Sequence, residues 1–134
     1  MSVIKALLET PSNLTTASKY IAVNGLIYLA VGILLIAWPG VTQTLFRDPA
    51  FVGHEAGLMR VIGLTVVVIG WLYVFGGRSG SNQVVAASVI DRLIFVPAVL
   101  IPVAMAGVFS HLLQTFAAFD VLLAIGAWLL FARR

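Results

Sequence analysis

The stretch AGLMRVIGLTVVVIGWLYVF, Ala56 to Phe75, decides how this chain folds. Arg60 is its only charge, it holds no proline, and the pair Gly76-Gly77 follows it. An α-helix rises about 1.5 Å per residue, so roughly 20 apolar residues cross the hydrocarbon core of a bilayer. A strand of a membrane barrel is about 10 residues long and alternates apolar with polar side chains. This run does neither, so it reads as a membrane-spanning helix.

Three further runs meet the same requirement: about Tyr20 to Trp38, stopped by Pro39-Gly40, about Val84 to Val108, and about Leu112 to Phe131. Apolar residues make up 61% of the 134-residue chain and charged residues only 10%. A soluble domain carries about 25% charged residues, so this chain cannot clothe a water-facing surface. Its mean hydropathy of +1.09 agrees. The expected fold is all-α: an integral membrane four-helix bundle, antiparallel because the connecting loops are short. Residues 20–134 form the transmembrane domain.

Met1 to Lys19 precede it as a tail. Val3-Ile4 and Leu7-Leu8 beside Lys5 and Glu9 suggest a short helix lying on the membrane surface. The first span reads as a retained helix, because its apolar core is too long for a signal peptide and no A-x-A site follows. Lys and Arg gather on the cytoplasmic side of membrane proteins. Lys5, Lys19, Arg78, Arg133 and Arg134 lie on one side of the expected topology, and Arg47 alone lies on the other. Both termini are therefore expected in the cytoplasm. The net charge of +3 does not indicate nucleic acid, because the basic residues form no cluster or stripe. With no cysteine there is no disulfide or thiolate chemistry.

Gly25 and Gly32 in the first span, like Gly63 and Gly70 in the second, lie seven residues apart, on one helix face. Small residues so placed let helices approach closely. Pro97 and Pro102 interrupt the third span, and each removes a backbone donor and favours a kink.

Charge inside a span costs at least about 2.5 kcal/mol when it faces lipid near the centre. Arg60, Asp91, Arg92 and Asp120 are nevertheless inside spans, with Asn24 as an uncharged polar companion. Helix counting brings Arg60 and Asp120 within reach of each other from one membrane face, which suggests an ion pair between the second and fourth spans. Asp91 and Arg92 point about 100° apart, so only one can face the bundle. Two arginines against two aspartates favour mutual neutralisation that fixes helix register. The alternative is a proton relay, or a site for a polar ligand group. His54, Glu55 and His111 sit at the outer interface and are weak candidates for a metal site, without a recognised motif. Glu55 also suits the helix N-terminus. Trp38, Tyr73 and Trp128 read as interfacial anchors, and Trp71 as a deeper residue facing neighbouring helices. Gly76-Gly77-Arg78-Ser79-Gly80-Ser81 lacks the lysine of a phosphate loop and reads as a turn. No catalytic motif is present, so no enzyme activity and no cofactor are expected.

The runs GWLYVFGGRSGS (Gly70 to Ser81), AASVIDRLIFVP (Ala86 to Pro97), GVFSHLL and FAAFDVLLAIGAW resemble BphX-like proteins, with Asn24-Gly25 and Tyr28 as weaker support. These are small bacterial membrane proteins, first named from biphenyl-degradation gene clusters. DoxX-like four-helix membrane proteins are the alternative family. The resemblance implies a bacterial inner membrane and a link to aromatic-compound catabolism, and it assigns no residue a role.

Size, short loops and balanced charges point first to an accessory or interaction protein, a homo-oligomer or a small subunit of a larger membrane complex. The second reading is a protein that binds or transports a small apolar or aromatic molecule through a pocket in the bundle. An enzyme built on the outer histidines is the third.

Overall fold

The computed structural model describes residues 2–133. Six helices follow one another: α1 (Val3–Leu8), α2 (Thr16–Ala37), α3 (Val41–Phe46), α4 (Glu55–Arg78), α5 (Asn82–Met105) and α6 (Ser110–Ala132). There is no strand among the described residues. Four helices, α2, α4, α5 and α6, are long and apolar enough to cross a membrane. The chain is a multi-pass membrane helix bundle.

The helices differ at their ends from the apolar runs, because polar caps set them. Thr15 Oγ1 accepts the Ser18 N–H at 3.1 Å, which starts α2 before Tyr20 and leaves Lys19 inside the helix. Ser81 Oγ accepts the Val84 N–H at 3.3 Å and starts α5. A cap of this kind satisfies a donor that the first helical turn leaves free. Gly76-Gly77 does not end the second span, which continues to Arg78. The cause is tertiary: a Cβ at Gly77 would lie 2.5 Å from the Ala22 backbone nitrogen, so glycine there admits α2 rather than breaking α4. The third span closes earlier than its apolar run, at Met105, and a turn through Gly107 (φ 91°) and Phe109 (φ 42°) leads into α6.

The buried stripe of α4 is Met59, Gly63, Val66, Gly70, Tyr73 and Gly77, spaced by three or four residues as one helix face must be. It meets the α2 stripe so that Gly25 touches Gly70 and Gly32 touches Gly63. Rising numbers on α2 match falling numbers on α4, so these two helices run in opposite directions. A Cβ at Gly25 would lie 2.5 Å from Val74 N, and one at Gly32 would lie 2.6 Å from Gly63 O. Lipid tails are as apolar as the side chains, so close backbone approach is what holds such a pair together. The opposite face of α4, with Val61, Leu64, Val68 and Leu72, is exposed and suits a lipid surround.

α5 packs along α6, and both reach α2. Against α4, α5 makes its main contact in its first half, where Val84 covers Gly76. Past the contacts of Asp91 and Arg92 with Tyr73, a gap opens between the two helices. In the middle of α5, Asp91–Phe95 forms a π-turn, with the Val96 N–H bonded to Asp91 O. Pro97 follows directly and supplies no N–H. A proline ring clashes with the carbonyl one turn before it, and a widened turn accommodates it.

Candidate functional site

Tyr28, Arg92 and Asp120 converge where α2, α5 and α6 meet. Arg92 is 1% exposed and is among the largest fully buried side chains. Its Nε donates to Ser88 O at 3.1 Å, its Nη2 to Ser88 Oγ at 3.4 Å, and its Nη1 to the Tyr28 hydroxyl at 3.4 Å. That hydroxyl in turn donates to Asp120 Oδ1 at 2.5 Å. Tyr28 thus stands between the guanidinium and the carboxylate, linking both in one chain of hydrogen bonds. Alongside it, the Tyr73 hydroxyl of α4 donates to Asp91 Oδ2 at 2.8 Å. The Arg92 guanidinium lies 5.1 Å from the Tyr73 ring centroid, and the Tyr28 and Tyr73 rings meet edge-on at 5.5 Å. A cation over a ring face is held by the ring quadrupole, more strongly where water is excluded.

The depth of this network follows from counting. Tyr28 is roughly 18 Å along α2 from Thr16, and Arg92 and Asp120 are each roughly 15 Å from the starts of their helices. All three therefore lie near the middle of a hydrocarbon layer of about 30 Å. The π-turn contributes here, since Asp91 and Arg92 are its first two residues. It sends Arg92 into the bundle while Asp91 turns to Tyr73.

The network forms the polar end of a cavity of about 320 Å³. Its remaining walls include Val66, Leu113 and Phe116, and its mouth is framed by Thr65 and Ile69 of α4 with Phe95 and Val99 of α5, all four exposed. The mouth is the gap between α4 and α5, so it opens sideways rather than to either aqueous face. Tyr73 and Asp91 also line a second groove, between α4 and the first half of α5, where Leu7 of α1 is a further wall.

Arg60 does not pair with Asp120. It is exposed, and its Nε donates to Ile36 O at 3.2 Å. Depth alone brought Arg60 and Asp120 together in the sequence. The stripe of α4 separates them, because Arg60 follows Met59 and falls on the outward side. Asn24 is 1% exposed, and its Nδ2 has no hydrogen-bond partner among the described residues. It lies one turn before Tyr28 and is not part of the cavity wall. Tyr73 is no interfacial anchor, being 8% exposed and bonded to Asp91. Trp71 turns outward instead, with Phe75 beside it at 4.7 Å between centroids.

At the other end of the bundle, Glu55 and His111 do different work, and the side chain of His54 makes no cap at the start of α4. Glu55 Oε1 accepts the Val52 N–H at 2.7 Å, closing the start of α4. His111 Nδ1 is 2.8 Å from Phe46 O and 3.6 Å from Asp48 Oδ1. Among the described residues no three His, Cys, Asp or Glu side chains gather as metal ligands would. Asp48 is the informative residue here, and sequence reasoning passed over it. Buried, it accepts the N–H groups of His111 at 2.9 Å and Leu112 at 3.2 Å, capping α6 across 63 residues of sequence. Tyr28 and Ser88 were also missed as site residues. A tyrosine hydroxyl at mid-span needs a partner, and that was the available signal.

No family model, curated protein or solved structure matches the chain.

Proposed function

We propose that this is an inner-membrane protein that binds a small, largely apolar or aromatic molecule, admitted from the lipid between α4 and α5. The observation that carries the reading is the mid-membrane cavity, apolar along most of its wall, with its charged groups gathered at its inner end. Ligand pockets of about 300 Å³ and above commonly combine such walls with a few orienting polar groups. An interaction subunit needs an outward surface but has no use for an internal cavity with buried charge, so the cavity moves the ligand reading ahead of the accessory one. The likeness to BphX-like proteins supports both the bacterial inner membrane and the aromatic character of the ligand. In this reading the four spans form an antiparallel bundle with both termini in the cytoplasm, as the Lys and Arg distribution supports.

The test is isothermal titration of the chain in lipid nanodiscs with naphthalene-based probes, naphthylmethanol and naphthylmethylamine. Saturable binding of at least one is expected. Val99→Trp, at the exposed mouth, should weaken it about tenfold, the ratio produced by a modest steric loss. Binding that ignores Val99→Trp would place the probe elsewhere and end this reading.

A further inference from the structure

The geometry points to a ligand that carries a protonated nitrogen on its apolar body: an organic cation, seated against Asp120 and Asp91. This deepens the proposed binding function and rests on it.

The argument begins with what the polar end of the cavity has left to offer. Arg92 contributes little. Its Nε and Nη2 are turned back onto Ser88 of its own helix, its Nη1 goes to Tyr28, and its side chain is 1% exposed. The carboxylates are less fully used. Tyr28 occupies Oδ1 of Asp120 and Tyr73 occupies Oδ2 of Asp91. Oδ2 of Asp120 and Oδ1 of Asp91 have no hydrogen-bond partner among the described residues, and both residues line the cavity. Asp120 is only 7% exposed, and its second oxygen is not sealed off among the buried unpartnered atoms, so it stays accessible beside that space. Two N–H groups of Arg92 also remain, but that side chain is the most deeply buried of the three, so the more accessible open valences are those of the carboxylates.

Charge leads to the same class. One guanidinium lines the cavity with two carboxylates, and no other charged residue does so among the described residues. At ordinary charges the site carries an excess of one negative charge at mid-membrane, where an unpaired ion is most costly. A monovalent cation removes that excess. An anion would double it. The aromatic rings follow suit: Tyr28, Tyr73, Phe95 and Phe116 line the cavity, and ring faces attract cations. A protonated amine satisfies more of this site than a quaternary ammonium would, because its N–H groups can donate to the two free oxygens.

The experiment compares three probes of matched shape in nanodiscs at neutral pH: naphthylmethylamine, naphthylmethanol and naphthoate. The amine is expected to bind about tenfold tighter than the alcohol, and naphthoate weakest. Asp120→Asn and Asp91→Asn should each erode the preference for the amine over the alcohol. The comparison on the unaltered chain stands even if a variant fails to fold. An alcohol that binds as well as the amine would overturn the cation assignment and leave the binding function standing. Tightest binding of naphthoate would overturn it too, with Arg92 as the reader of charge. If none of the three binds, both the assignment and the binding function fall.

Discussion

Arg92 and Arg60 have the same side chain and opposite circumstances. Arg92 is enclosed between Ser88, Tyr28 and the Tyr73 ring, and Tyr28 links its charge to the Asp120 carboxylate. Removing one member of a buried charged set leaves the others unpaired. Arg92→Leu is therefore expected to lose about 3 kcal/mol or more of stability. Arg60→Ala, on the exposed face, should change it by no more than about 0.5 kcal/mol. Thermal unfolding of both variants in one detergent makes the comparison, and equal losses would refute the assignment of Arg92 as the structural cation. Tyr28→Phe removes only the hydroxyl that joins Arg92 to Asp120, and a loss of about 1 to 3 kcal/mol is expected. Asn24 presents the reverse case. Its buried amide nitrogen has no partner, so Asn24→Leu, similar in shape and apolar, should be neutral or stabilising.

Among the elements, the α2–α4 pair depends on backbone contact. Gly25→Ala would set a methyl group 2.5 Å from Val74 N, where only movement of a whole helix gives room. Overpacking of this kind costs about 1 to 3 kcal/mol. Gly57→Ala is the control: nothing lies within 4 Å of its added Cβ, so the gain in helix propensity should show as a stabilisation of about 0.5 kcal/mol or more. A melting series across both variants decides the matter, and a harmless Gly25→Ala would mean that the pair does not rely on contact. The start of α6 poses a similar question. Asp48→Ala leaves the His111 and Leu112 N–H groups without their cap, and a loss of about 1 kcal/mol or more is expected by the same measurement.

The whole molecule has a direction in the membrane that labelling can establish. The chain has no cysteine, so single substitutions give clean signals. With both termini in the cytoplasm, Val52→Cys, exposed in the α3–α4 loop, should react with an impermeant maleimide added outside intact cells. Ser79→Cys, exposed beyond α4, should react only after the membrane is opened. The opposite pattern would invert the topology and place the Lys- and Arg-rich ends outside. Either result leaves the cavity unchanged, because its mouth faces neither aqueous side.

Length and hydropathy by themselves determined that this is an all-α protein with four membrane-spanning helices, because the cost of exposing backbone or charge to lipid allows such runs few alternatives. The spacing of Gly25, Gly32, Gly63 and Gly70 announced a close helix contact for the same kind of local reason. The rotation of Asp91 away from Arg92 was also legible, since neighbours on a helix cannot point together. Pairing was not legible. Depth counting suggested Arg60 for Asp120, but depth is one coordinate, and rotation about the helix axis excludes it. Only the packed structure brought Tyr28 between Arg92 and Asp120, turned Tyr73 inward to Asp91, and carried Asp48 to the start of α6. Those contacts join residues far apart in the chain, so they depend on how several helices are turned against one another, which no single span encodes.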